Sequence, residues 1–360
     1  MRQYITDEYY YDNSPVMGYN EPINVFIGGR GRGKTFQAQK FCLKQYFKKG
    51  RKFCWLRLKE PAVRLLLAND AKDFIDSLLL EKFKITGLKV KGQDVYVSRG
   101  DPDDPSSYTE MCRIMALSTF YQVKGVALNK LNKKEKEAPT KEEKAKVRRL
   151  AGKYRNIVLD EMNAEKSEKR TFDISYAFVN QIETICRQDT DRKLILCGNT
   201  LDEGSDILSN CFNFIPNDFG IYHIRRKRTI IHMISDSEKW KKDRANSFAG
   251  LLMPEKPTFT NKVFSDIDLI VGKQPQSKQS MIIQFDAYSY YVLCGNVITK
   301  QKVSENNKLP RLALSPWIPG IPYNAEKATT FIKMAQLRQY KFDMLLTYKK
   351  FLGEIKLLKS

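Results

Sequence analysis

Along the first two-thirds of the chain, short apolar runs alternate with longer amphipathic stretches. Ile23 to Ile27 is an apolar, β-prone run, and a glycine-rich loop follows it directly. Residues 35–49 then read as a helix, with Phe36, Phe41, Cys42, Leu43 and Phe47 as its apolar face and Gly50 as its stop. A second strand is expected at 52–58 and a helix from Pro61 through Leu80. Strand-like runs follow at 88–90, 95–98 and 112–117, the last two separated by turn chemistry at 101–107. After a polar interruption come a strand at 156–159, a helix at 174–186, a strand at 193–197, a helix at 206–214 and a strand at 221–224. Short buried strands alternating with helices predict a parallel sheet covered on both faces.

Beyond Ser235 the rhythm changes. Residues 239–244 are polar and basic, and Pro254 and Pro257 interrupt the chain. Strands at 281–285 and 290–295 and a helical region over 325–357 predict a smaller α+β unit. The expected organisation is an α/β domain at 1–232, a connector at 233–257 and a second domain at 258–360.

Charge adds what periodicity cannot. Lys and Arg number 62 against 41 Asp and Glu, a net charge of +21 in 360 residues. Such a surplus predicts attraction to a polyanion, most often nucleic acid. Residues 129–155 concentrate it, with 11 Lys or Arg against 4 Glu, and read as an exposed loop or solvated helix. No apolar stretch approaches the length of a membrane span. Seven scattered cysteines without a Cys-x-x-Cys pair point to reduced thiols in a cytosolic compartment.

The chemistry is carried by Gly28-Gly29-Arg30-Gly31-Arg32-Gly33-Lys34-Thr35, a complete G-x-x-x-x-G-K-[ST] between a strand and a helix. Glycines let backbone N–H groups turn inward around phosphates, and the helix N-terminus adds partial positive charge. Lys34 is expected to neutralise phosphate oxygens and Thr35 to ligate Mg²⁺. Asp160, ending an apolar strand, suits the second magnesium-holding position, and Glu161 beside it is placed to polarise an attacking water. That pair implies hydrolysis of a nucleoside triphosphate. Asn199, at the tip of the next strand, is a candidate sensor of the γ-phosphate. A cation must also stabilise the transferring phosphoryl group, and Arg57, Lys124, Arg187 and Arg192 cannot be ranked by sequence alone.

This ordered set resembles the DNA-packaging ATPases of small φ29-like tailed bacteriophages. The likeness is carried by the glycine-rich loop, Trp55-Leu56-Arg57-Leu58-Lys59, Ile157-Val158-Leu159-Asp160-Glu161-Met162, Glu183-Thr184-Ile185-Cys186-Arg187 and Leu194-Ile195-Leu196-Cys197-Gly198-Asn199. It is close over 23–224, apart from a basic insertion near 129–149, and general beyond. The resemblance implies an ASCE-type P-loop fold using ATP and Mg²⁺, with Arg187 as a finger reaching the neighbouring subunit and Lys124 as a second cation acting in trans. It implies that Arg57 senses nucleotide. It also implies a ring, five-membered in the family, on the phage portal, with a structural RNA as a further partner, double-stranded DNA in its pore and no membrane, acting in the cytoplasm of the infected host. The C-terminal unit would be an RNase H-like nuclease that has lost catalysis. Its acids, among them Asp266, Asp268, Asp286, Glu305, Glu326, Asp343 and Glu354, are few for a two-metal site. Rival readings are a helicase or conjugation-type motor, a nucleic-acid binder with a regulatory nucleotide switch, and an active terminase nuclease.

Overall fold

The computed structural model describes residues 11–118, 154–163, 172–186, 191–199, 206–216, 218–252, 269–272, 275, 277–303 and 307–358. The chain forms two compact units, Met1–Phe212 with Phe219–Lys262, and Asn213–Asp218 with Val263–Ser360.

The first unit is built on a nine-stranded sheet. Its strands are β1 (Ile23–Ile27), β2 (Phe53–Arg57), β3 (Gly87–Lys91), β4 (Asp94–Ser98), β5 (Thr109–Ala116), β6 (Asn156–Asp160), β7 (Lys193–Gly198), β8 (Gly220–Ile224) and β9 (Thr229–Met233). Their order is β3-β4-β5-β2-β6-β7-β1-β9-β8. From β5 to β9 every pairing is parallel, and antiparallel hairpins finish both sides. The central strands are buried almost throughout, as in the runs Phe53–Arg57 and Asn156–Asp160. They therefore read as continuous apolar runs rather than as alternation. Strand β7 lies between β1 and β6, so the glycine-rich loop and Asp160 leave the sheet two strands apart. A helix, Lys34–Lys49, follows the loop and ends at Gly50 in the left-handed conformation (φ 63°). Its fully buried positions are Ala38, Cys42 and Leu43, while Phe36, Phe41 and Phe47 are only partly covered.

Several elements depart from the periodic reading. The single helix expected over 61–80 is two, Glu60–Ala71 and Ser77–Phe83. Asn69 and Asp70 take left-handed backbone there (φ 50° and 57°), which Asn and Asp tolerate. Asp70 Oδ1 then accepts from Val90 N, and Asp76 caps the second helix by accepting from Leu78 N. Residues 207–212 wind as a π-helix rather than an α-helix. Strand β9 follows a basic turn and was hidden by it. The stretch read as a connector carries a helix, Glu238–Ala245, capped by Ser237 Oγ.

Tyr11 packs over β1 and β9. Its ring meets Phe26 and, edge-on, His232, and its hydroxyl lies 2.9 Å from His232 Nδ1. Burial pulls the His232 pKa down to about 4. The unfolded chain takes up a proton at the ordinary value near 6.5, the folded chain only near 4, so stability falls as pH falls between the two. After discounting for partial exposure, the expected loss is about 2 kcal/mol. Urea unfolding at pH 7 and pH 4.5 checks it. His232→Gln should remove this component, and an unchanged pH dependence in that variant would refute the assignment.

The second unit contains a five-stranded sheet in the order β13-β10-β11-β12-β14. These are β10 (Gln279–Gln284), β11 (Tyr290–Cys294), β12 (Val297–Thr299), β13 (Arg311–Ala313) and β14 (Lys341–Phe342). Strands β10 to β12 form an antiparallel meander, with β13 parallel to β10 and β14 parallel to β12. The helical region expected over 325–357 is two helices, Ala325–Gln336 and Leu345–Leu357, divided by β14. Phe285, Tyr291, Phe331, Phe342 and Phe351 form its aromatic core. No helix among the described residues is long and apolar enough to cross a membrane.

Candidate active site

In parallel α/β sheets the carboxyl ends of the strands present their loops to ligand. Register explains who meets whom at this edge. Leu56 pairs with Leu159, which sets Arg57 beside Asp160. Asp160 pairs with Cys197, and Gly198 with Ile27. Gly28 N donates to Gly198 O at 3.3 Å, which closes the start of the loop onto β7.

The loop itself turns on two glycines. Gly31 and Gly33 sit at φ 78° and 83°, a conformation that side chains other than glycine rarely adopt. Lys34 is buried, and its Nζ donates to the carbonyls of Gly28 and Gly29 at 2.8 Å each. Burial lowers its pKa to about 8, against the opposing pull of Cys197, Asp160 and Asp236. The ammonium is thus held under the loop by two neutral acceptors, a position from which an anion would draw it.

Thr35 Oγ1 donates to Asp160 Oδ1 at 3.0 Å. This hydroxyl–carboxylate pair is a hard-oxygen donor set suited to a largely hydrated Mg²⁺. Asp160 is 4% exposed, and burial raises its pKa, with Arg57 the largest opposing influence. Arg57 Nη1 lies 3.1 Å from Asp160 Oδ2 and 2.8 Å from Glu161 Oε2. One guanidinium therefore bridges both carboxylates. Glu161 has left-handed backbone (φ 56°), a cost of about 1–2 kcal/mol for such a residue. Its side chain is 56% exposed, so the strain turns it out of the sheet edge toward solvent while Asp160 stays inside. Asn199 stands at the tip of β7, where its carbonyl accepts from Asn163 Nδ2 at 3.1 Å.

Of the loop arginines, Arg30 is exposed and Arg32 is buried. Arg32 Nη2 donates to Ser235 O at 3.3 Å, its Nε lies 3.6 Å from Asp236, and its guanidinium lies over the Trp240 ring. The backbone carbonyl of Arg32 accepts from Tyr11 N. Trp240, on the Glu238–Ala245 helix, is fully buried, and a Cβ added to Gly29 would lie 2.8 Å from its Cη2. Gly29 is thus required by close approach, whereas Gly31 and Gly33 are required by turning. Sequence reasoning missed Asp236 and Trp240. The signal was a lone tryptophan three residues after Ser237, a helix-capping spacing inside a run of lysines. Arg187 and Lys124 lie outside the described residues. Arg192 is buried, with its guanidinium on the Tyr154 carbonyl rather than at this edge.

The family model for the podovirus DNA encapsidation protein (Gp16) matches residues 5–101. The bacteriophage Phi-29 viral genome packaging motor assembly contains a similar chain, 15% identical, with TM-score 0.56 over 98% of this chain and 100% of that one. The Phi-28 gp11 DNA packaging motor is 14% identical, with TM-score 0.54 over 98% of this chain and 99% of that one. At these identities the likeness is one of fold. No curated protein sequence matches the chain. In sequence over residues 5–101 the chain is similar to the podovirus DNA encapsidation protein family, and in fold over nearly its whole length to chains of the Phi-29 and Phi-28 DNA packaging motors.

Proposed function

We propose that this protein is an ATP-driven motor that moves double-stranded DNA into a viral prohead, working as a ring of identical subunits. The observation that carries the reading is the convergence of Lys34, Thr35, Asp160, Glu161 and Arg57 on one sheet edge. Bound Mg-ATP supplies the phosphoanhydride and the metal that offsets its charge. Lys34, Thr35 and Asp160 would hold it, and Glu161 would accept the proton of the attacking water. Arg57, which now engages both carboxylates, would release Glu161 once an anion competes for the guanidinium. Asn199 would report the γ-phosphate, and Arg187 and Lys124 of a neighbouring subunit would complete the site.

In the second unit, a meander flanked by a strand parallel to its first member supports the RNase H-like reading. Two of its acids are spent on structure. Asp343 accepts from Thr299 Oγ1, and Glu354 accepts from Ser289 and Tyr291. That supports a binding platform for DNA, portal or structural RNA over a working nuclease. The setting would be the host cytoplasm, on the prohead.

Displacement of a triplex-forming strand from duplex DNA tests translocation. Wild type should displace it with ATP and leave a forked duplex unseparated. Doping with Arg187→Ala should depress the rate more steeply than the wild-type fraction falls. Fork unwinding without triplex displacement would replace the packaging reading with a helicase.

A further inference from the structure

The opposite edge of the same sheet carries cations that the nucleotide site does not use. Arg51 precedes β2, Arg155 precedes β6, Lys193 opens β7 and Arg228 precedes β9. Backbone bonds stitch this edge together. Arg155 N donates to Lys52 O at 2.9 Å, Lys193 N to Arg155 O at 3.0 Å, Leu194 N to Pro22 O at 2.8 Å and Ile23 N to Arg228 O at 3.4 Å. In the order β2-β6-β7-β1-β9, neighbouring strands stand about 4.8 Å apart, so the row runs for roughly 19 Å. The tight turn between β8 and β9 extends it with Arg225, Arg226 and Lys227, all exposed.

The row is crowded. Arg51 and Arg155 both reach Asp191, at 3.4 and 3.8 Å, while Arg228 lies 3.9 Å from Glu21. Lys193 Nζ donates to the Glu21 carbonyl. Burial first, and then Arg228 and Arg51, press the Lys193 pKa below the ordinary lysine value. Among the described residues, surplus cations are thus held beside few acids, about 16 Å from the nucleotide edge by the rise of five-residue strands.

We propose that this row is a docking strip for the phosphodiester backbone of a duplex nucleic acid. Each phosphate of a DNA strand advances 3.4 Å along the helix axis, so a strip of roughly 19 Å spans the axial rise of about five or six, of which those turned toward it make contact. Among the described residues the row presents charged tips and no projecting helix, so it would position the duplex without reading bases. The strip borrows from the packaging reading only its choice of DNA as first probe.

Fluorescence anisotropy with a labelled mixed-sequence duplex DNA, and in parallel a duplex RNA, tests it on the full chain across a salt series. Arg225→Glu/Arg226→Glu should weaken DNA binding at least tenfold at 100 mM salt and flatten the salt slope by about 2, at about 0.9 per phosphate contact. A charge-matched Lys82→Glu/Lys84→Glu variant should stay within about threefold of wild type, and ATP turnover without DNA should be unchanged in both. Equal loss on DNA and RNA supports the strip as a general backbone dock, and loss on RNA alone assigns it to an RNA partner. Wild-type affinity in the strip variant, equal weakening in both variants, or wild-type binding of polyglutamate in preference to either duplex overturns it. Wild type that binds no duplex DNA would count against the packaging reading itself, a result distinct from failure of the strip.

Discussion

Glu161→Gln should bind Mg-ATP within about threefold of wild type and hydrolyse it about 10²–10⁴-fold more slowly. The substitution keeps volume and an acceptor oxygen for Arg57 Nη1, now 2.8 Å from Oε2, but removes the group that takes the proton from water. Thr35 and Asp160, 3.0 Å apart, are untouched, so the cradle and its metal-suited oxygens persist. Single-turnover hydrolysis beside a fluorescent-nucleotide titration separates the two quantities. Turnover near the wild-type rate would remove Glu161 from the chemistry and leave the bridging arginine without a catalytic partner to hold.

Trp240→Ala should cost about 3–5 kcal/mol of stability, the usual range for emptying a fully buried aromatic site. In a domain of this size that is a fall of roughly 6–20 °C in melting temperature. The indole closes on Gly29 from one side and lies under the Arg32 guanidinium on another. Its loss therefore also frees the loop whose carbonyls hold Lys34, and nucleotide affinity should fall with stability. Thermal melts with and without Mg-ATP measure both. A melting temperature within about 1 °C of wild type, with unchanged nucleotide affinity, would show that the loop stands without this helix.

Most of the sheet was legible because parallel strands buried on both faces announce themselves as apolar runs. Strands β1, β2, β6 and β7 and the loop between β1 and its helix fall where pattern and motif put them. The placement of β7 between β1 and β6 followed from no periodicity, since strand order depends on contacts far apart in sequence. Local chemistry hid three features. Asn69 and Asp70 broke a helix whose apolar spacing continued past them, and β14 divided another. Strand β9 was masked by the arginines before it. The loop residues of the candidate site were readable from one eight-residue motif. Arg57 was one of four unranked cations and gained a nucleotide-sensing role only through resemblance, because that role depends on lying in register beside Asp160. Asp236 and Trp240 gave almost no signal, since a single buried tryptophan among lysines looks like a solvated run until its partner glycine is seen.

The parallel pairing that spans β5 to β9 has a mechanical consequence. A strand cannot slip by a fraction of a residue, and a slip of one whole residue would carry each side chain to the opposite face of the sheet, out of the packing it fits. The plate between the nucleotide edge and the basic edge therefore has no internal slack. A displacement imposed at Arg57 and Asp160 should then reach Arg51, Arg155 and Lys193 as a tilt of the whole plate, with the sheet acting as a lever arm and not as a spring.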